Sequence, residues 1–324
     1  NASDFFSGFL HTFHHKMFYQ ERDIFAAFPK RRNKDGENIQ AIVQVFAKVA
    51  GFDSFFQNTI SSGDNTHINS DGTGDTQLTF EGQNDHPFWS DDGQLIFFTS
   101  DNGQGSALWS MLPDGSEQTE LLTAPDAVSY SISPDSAHTA YAQRVNGEYD
   151  IFLDGKQWTY LQGNQVNYQW SPASNFIVIE NAASPQVIHV IAVGSLSAVP
   201  LTEASYNSWN PVWSPDAVHL AFASTRDGNA GVYTMSIAGG DQIRLTPLDT
   251  WSQAPSWSPD GSTIAHVSGE AGGDWSLFIM QANGGGRFRL LTSVHPEAAA
   301  VWSADSSQLA VIIQDGDQEL ASVN

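Results

Sequence analysis

An all-β fold, a six-bladed β-propeller, is predicted for this chain by a phrase that recurs six times, by its spacing, and by the turn formers that cut each copy into four short strands. The copies read HPFWSDDG (86–93), SYSISPDS (129–136), NYQWSPAS (167–174), NPVWSPDA (210–217), APSWSPDG (254–261) and AAVWSADS (299–306). Their Trp, replaced by Ile132 in the second copy, falls at 89, 132, 170, 213, 257 and 302, in steps of 43, 38, 43, 44 and 45 residues. A period of about 40–50 residues built from short strands is that of a propeller blade.

The fourth copy shows how each element is specified. Pro211–Ser214 forms a short first strand that ends at the turn former Pro215-Asp216. His219–Ser224 follows as a second strand, and Arg226-Asp227-Gly228-Asn229 turns the chain into a third, Gly231–Ile237, with alternating side chains. Ala238-Gly239-Gly240-Asp241 leads to a fourth, Gln242–Thr246. Four strands with Gly, Pro and Asp turns make one antiparallel blade. The closing strand recurs as TELLT (119–123), AVPLT (198–202) and FRLLT (288–292), and the second copy diverges to WTYLQ (158–162). Because the sixth copy runs out after a third strand, the similar phrase at Gly74–Thr79 is expected to complete the last blade and close the ring.

Two domains follow: a helical N-terminal extension, residues 1–62, and the six-bladed propeller, residues 63–324. The chain has 13 Lys and Arg against 36 Asp and Glu, a net charge of −23. Charge is divided unevenly: the extension carries seven basic and six acidic residues, the propeller 6 and 30. So acidic a propeller excludes nucleic acid as its partner, since phosphate binding needs a basic footprint. A basic protein surface or cations fit it, as does simple solubility. The chain has no cysteine, which removes disulfides and thiolate metal sites. It has no run of 18 apolar residues, and it begins at Asn1, as expected if a targeting segment has been processed.

In the extension, Phe6, Phe9, Leu10, Phe13 and Met17 fall at helical spacing over residues 4–18, with Asp4 as N-cap. Ile39, Ile42, Val43, Phe46 and Val49 repeat the pattern over 37–50, and Gly51 stops the helix. Such aromatic faces need a surface: the propeller's own side, a partner protein, or a membrane interface. Phe5, Phe6, Phe9, Phe13 and Phe18 beside Lys30, Arg31 and Arg32 suit an anionic interface, so these are the candidate docking residues.

Innermost propeller strands line the central channel, so the residues just before each Trp are the candidate ligand site. They are Asp85, His86, Ser129, Tyr130, Asn167, Tyr168, Trp209, Asn210, Gln253 and Glu297. Their types suit binding of a peptide or ion better than chemistry, since no base–nucleophile set is among them. His11 and His15 are four apart on the first expected helix, but no carboxylate completes a metal set beside them and His14. The Asp-Gly pairs coincide with blade turns, where Gly takes positive φ, leaving calcium a minor reading, best placed at 64–75. Neither a catalytic residue nor a cofactor is assigned. The sequence contains no G-x-S-x-G, H-E-x-x-H, Walker loop or helix-opening G-x-G-x-x-G motif.

NPVWSPD, APSWSPDG and the closing QIRLT and RLLT resemble the TolB-type propeller repeat over about residues 64–324. The resemblance implies an extracytoplasmic six-bladed propeller that acts as a protein-binding platform. The repeats are also similar to those of prolyl oligopeptidase-like enzymes, whose hydrolase domain is absent here, and of oligogalacturonate lyases, which use propeller histidines for a divalent metal. Of the mouth positions only His86 is a histidine, with His67, His266 and His295 elsewhere. The expected function is a non-enzymatic binding subunit, periplasmic or otherwise extracytoplasmic, docked to a membrane-associated or envelope complex through its N-terminal helices. The alternative is a hydrolase or lyase acting on carbohydrate or peptide in the channel mouth.

Overall fold

A computed structural model describes residues 42–44, 58–61, 66–69 and 76–324, apart from 91, 102, 104, 125–126, 166, 196, 270–272, 297–298, 314–318 and 324. All elements among the described residues are β-strands, assorted into seven sheets of antiparallel strand pairs. Two compact units divide the chain, residues 1–131 and 132–324.

In the first unit β1 (Ile42–Gln44), β2 (Asn58–Ser61), β3 (Thr66–Asn69) and β4 (Thr76–Gln77) form one sheet in that order. The next holds β5 (Gln83–Trp89), β6 (Ile96–Asp101), β7 (Ser106–Met111) and β8 (Thr119–Thr123), and β9 (Ala127–Ile132) follows. Leu78, Ile96, Phe98 and Met111 pack as a core against Trp89 and Trp109.

Two expectations are corrected here. Ile42–Gln44 is a strand paired with β2 (Ile42↔Ser61, Val43↔Ile60), not part of a helix over 37–50. β-Branched Ile42 and Val43 suit an extended pair, and the pairing overrides their helical spacing. Likewise Thr76–Gln77 pairs with β3 (Thr66↔Gln77, His67↔Thr76), so the 74–79 segment is not the closing strand of the last sheet. A partner a few residues upstream costs far less loop-closure entropy than one at the other end of the chain. Apart from β1 and β2, the expected extension, residues 1–62, lies outside the described residues.

The second unit continues with β10 (Thr139–Val145), β11 (Glu148–Leu153) and β12 (Lys156–Gln157). Three four-stranded sheets follow. They comprise β13 (Asn167–Trp170), β14 (Phe176–Asn181), β15 (Val187–Ala192) and β16 (Val199–Pro200); β17 (Ser208–Trp213), β18 (His219–Ser224), β19 (Gly231–Ser236) and β20 (Ile243–Arg244); and β21 (Trp251–Trp257), β22 (Thr263–Gly269), β23 (Trp275–Gln281) and β24 (Phe288–Thr292). A three-stranded sheet of β25 (Val301–Trp302), β26 (Leu309–Ile313) and β27 (Glu319–Val323) completes the described strands. Each repeat Trp, or Ile132, ends the first strand of its own sheet.

The recurring Ser-x-Asp is a turn device. In Ser133/Asp135, Ser214/Asp216, Ser258/Asp260 and Ser303/Asp305 the hydroxyl donates to Oδ1 at 2.5–2.6 Å. The same Oδ1 accepts the N–H two residues on, as from Val218 at 3.0 Å, and Ser214 Oγ accepts the N–H of His219 at 2.9 Å. Where the third copy has Ala173, Ser171 donates to Asn175 instead, at 2.9 Å. The fourth turn residue takes positive φ in all six copies, at Gly93, Ser136, Ser174, Ala217, Gly261 and Ser306. Ser174 and Ser306 have a reason to be serine there, since their hydroxyls accept from Asp135 N and Asp260 N on the preceding repeat's turn.

Neighbouring sheets are joined by the repeat residues themselves. Trp213 and Trp302 donate their indole N–H to Gln169 O (3.3 Å) and Ser256 O (3.2 Å) of the preceding sheet. Trp213 also stacks on Phe176, within a core of Val178, Ile188, Leu220, Phe222 and Tyr233. The Thr of the closing phrase seals the third strand: Thr159, Thr202 and Thr246 accept the N–H groups of Ile151, Ile188 and Val232 at 2.8–3.0 Å.

Candidate functional site

The first strands of the sheets carry the candidate mouth residues, and several of these strands are bent there. Register shifts separate Asp85 from Phe88, Trp209 from Val212, and Gln253 from Ser256. Asn210 and Ala254 take positive φ at their bulges, and Ser129 does so at the matching place in β9. A Pro follows in three copies (Pro87, Pro211, Pro255), where a bulge tolerates the loss of a ladder N–H. Bulges re-aim side chains and recur beside binding sites.

At one of these bends a buried carboxylate gathers the strand ends. Glu180 of β14 is 3% exposed. Its Oε2 accepts the backbone N–H of Asn210 at 2.9 Å and the carboxamide of Asn167 at 2.8 Å, and its Oε1 accepts Gln186 Nε2 at 3.1 Å. Asn167 is its direct cross-strand partner, whereas Asn210 belongs to the next sheet. Two of the sequence-derived candidates are thus brought together by a residue that was not among them. Burial raises the carboxyl above its ordinary value, opposed by the hydrogen bonds from Asn210 and Asn167.

The remaining candidates divide by face. Tyr130 and Tyr168 are buried and donate their hydroxyls to Ala124 O (3.2 Å) and Ala140 O (3.0 Å), so both are packing residues that present no side chain to a ligand. Gln253 donates to Pro296 O at 2.8 Å, tying β21 to the segment before β25. Trp209 is half-buried in β17. Asp85 and His86 lie in β5, but their side chains are outside the described residues, as are Glu297 and the docking residues Phe5, Phe6, Phe9, Phe13, Phe18, Lys30, Arg31 and Arg32. Among the described residues no three His, Asp or Glu side chains converge as metal ligands, and no helix is long and apolar enough to cross a membrane.

A second buried polar group lies two sheets further on. His266, fully buried in β22, stacks on Phe278 and accepts a hydrogen bond from Arg287 Nε to its Nε2 at 3.1 Å. That bond leaves the ring proton on Nδ1. Burial, then the Arg287 charge, lowers the His266 pKa to about 3, so the ring is neutral at physiological pH. The guanidinium lies 3.7 Å from the Phe278 ring centroid. His266 therefore serves as a buried aromatic, in a row that is Phe98, Tyr141, Ile179, Phe222 and Val311 in the other copies.

Residues 166–324 match the TolB beta propeller domain family. Within that span the repeats are of the TolB propeller type. A 113-residue segment is 44% identical to the "Uncharacterized peptidase YuxL" of Bacillus subtilis, covering 34% of this chain and 15% of that protein. A 63-residue segment is 41% identical to the "Tol-Pal system protein TolB" of Geobacter sulfurreducens, covering 19% and 15%. The matches thus span about 15% of the length of these two curated relatives. Among solved structures, a putative TolB from Agrobacterium tumefaciens superposes with a TM-score of 0.52 at 20% identity, over 77% of this chain and 91% of that one, a likeness of fold. The matched residues 166–324 include Glu180 on β14 and the bends at Asn210 and Ala254 on the first strands of the next two sheets.

Proposed function

We propose that this chain is a non-enzymatic, extracytoplasmic binding platform: its acidic repeat region presents a mouth to a basic protein, and its aromatic N-terminal segment docks it to a membrane-associated or envelope assembly. The carrying observation is the charge division, seven basic and six acidic residues before position 63 against 6 and 30 after it, in a chain whose repeats are TolB-type. Similarity to a protein of the Tol-Pal system supports an envelope setting. The mouth residues fit binding, since Asn167, Asn210 and Gln253 hold strands in place rather than forming an acid–base pair.

The test is co-sedimentation of the full chain with its native membrane fraction, followed by capture of bound protein. Substituting Phe5, Phe6, Phe9, Phe13 and Phe18 together with Ser is expected to release the chain from the fraction. Raising salt from about 0.05 to about 0.5 M is expected to release an acidic-surface partner, because the Debye length shrinks several-fold. Unchanged association in both experiments overturns the reading.

The similarity to a protein named as a peptidase favours a second reading, hydrolysis or elimination on a peptide or carbohydrate in the mouth. It requires turnover of such a substrate by the purified chain, lost in His86→Ala with the fold intact. No turnover across peptide and polysaccharide panels counts against it.

A further inference from the structure

Ten residues after the repeat Trp (Ile132 in the second copy) the six copies carry Thr99, Ala142, Glu180, Ala223, Val267 and Ile312. Five copies fill this slot with Thr or an aliphatic, and one fills it with a carboxylate that is 3% exposed. A buried carboxylate is a liability for stability unless its oxygens are bonded. Glu180 meets three donors, and two of them, Asn167 and Asn210, are half-buried inner-strand residues of adjacent sheets.

We propose that Glu180 is the positioning residue of the binding mouth: it touches no ligand, and it fixes Asn167 and the Asn210 bend so that their polar groups and the neighbouring Trp209 indole face a partner in one arrangement. This rests on the binding-platform reading above and names the group that shapes its site. An ionised carboxylate only accepts, so the Asn167 amide must turn its NH2 inward, which sets the direction of its Oδ1. The Asn210 N–H, displaced from the ladder at the register shift, finds its acceptor in the same carboxylate. In the next sheet the corresponding slot is Ala223 and the corresponding bend is Ala254, so the bend itself needs no carboxylate. What Glu180 adds is a fixed acceptor for it.

Among the described residues no charge acts on Glu180; burial and the hydrogen bonds from Asn210 and Asn167 alone shift its carboxyl. β13 offers Asn167, Tyr168, Gln169 and Trp170; the β14–β15 loop offers Gln186; β17 offers Ser208, Trp209 and Asn210. His189 on β15 stands across from Ile179, one residue along, and so on the opposite face. Arg226, at the end of β18, lies over the rings of Tyr206, Phe222 and Tyr233. Protonation of Glu180 is therefore read by its three neutral partners alone.

Amide exchange and backbone NMR on the free full-length chain test this without a partner, so the outcome is separable from that of the membrane experiment. In Glu180→Ala the Asn210 amide is expected to exchange at least about tenfold faster, the loss of one charge-assisted hydrogen bond, with the Trp213 and Ala221 amides unchanged. The wild-type Asn210 amide shift is expected to titrate with Glu180, and to be flat with pH in Glu180→Gln. Should the Ala variant not fold, the isosteric Gln variant and its pH profile decide. Unchanged Asn210 exchange, equal acceleration of all three amides, or the same pH profile in Glu180→Gln overturns the proposal.

Discussion

The seam between the β13–β16 and β17–β20 sheets and the next seam, between β17–β20 and β21–β24, are built from the same repeat yet hold buried titratable groups of opposite kind. Glu180 occupies the first, in a slot that is Ala223 in the second. The second holds His266, which shares a strand face with Ile264, part of an apolar cluster with Ala221, Val232 and Met280; the row position it fills is Phe222 at the first seam, packed with Val178 and Ile188. Burial disfavours the charged form of both groups, raising the pKa of the acid and lowering that of the base. The contrast shows that the blade frame tolerates either polarity. The partners each group meets separate the two: Glu180 reaches Asn167 and Asn210 on the first strands of adjacent sheets, and His266 reaches Phe278 and Arg287.

The largest effect should come from the apolar part common to the two seams. Phe222 is fully buried and stacked on Tyr233, in the row that holds His266 one sheet later. Phe222→Ala is expected to cost about 3–5 kcal/mol in urea unfolding. A loss under about 1 kcal/mol would mean that the seam is not close-packed.

The pH dependence sharpens the comparison next. Glu180 has a folded pKa above its ordinary 4.5, so the native state holds the extra proton and stability falls as pH rises from 4.5 through the raised value. His266 has a folded pKa of about 3 against 6.5, so the unfolded state binds the proton first and stability falls as pH drops from 6.5 towards 3. Glu180→Gln should flatten the upper limb of the stability curve and His266→Phe the lower one. Identical curves for wild type and both variants would remove the distinction between the seams.

Much of this fold is legible in the sequence because the repeat is written in local turn chemistry. Ser214-Pro215-Asp216 closes a hairpin with bonds that span five residues or fewer, and each such phrase starts a sheet. The N-terminal pairing was not legible, because Ile42 and Val43 satisfy helical spacing while their extended state depends on their distant β2 partners Ser61 and Ile60. In the site, position alone nominated Asn167 and Asn210, and both meet at Glu180. The same rule nominated Tyr130 and Tyr168, which alternation turns into the packing between strands. Glu180 leaves no motif; its signal is a lone acid in a slot that is Thr or aliphatic in the other five copies, visible once the copies are aligned on the Trp.

The turn that frames both seams gives a smaller effect. Ser214 is 3% exposed; its Oγ donates to Asp216 and accepts from His219 N–H. Ser214→Ala leaves that N–H only its neighbours in the turn and is expected to cost about 1–2 kcal/mol. The Asp216 and Asp260 carboxyls are held below 3.8, first by the serine hydroxyls and then by backbone N–H groups. Their contribution is present above 3.8 and disappears as pH falls through the lower folded values. In Ser214→Ala, Asp216 should therefore titrate closer to its ordinary value by carboxyl NMR, while Asp260 stays put.

The smallest effect concerns the backbone alone. Ala217 takes a φ of 58° at the turn position that is Gly93 and Gly261 in other copies. An L-residue there is strained by roughly 1 kcal/mol, and Gly removes the strain while losing some of that gain to the greater freedom of the unfolded chain. Ala217→Gly should therefore raise stability by a few tenths to about 1 kcal/mol. Ser174 has a φ of 58° as well, but its hydroxyl accepts from Asp135 N on the neighbouring turn. Ser174→Gly relieves the same strain and loses that bond, so it should be neutral or destabilising. If both substitutions stabilise equally in urea unfolding, the turn-to-turn bond contributes nothing, and the six turns differ in sequence without differing in energy.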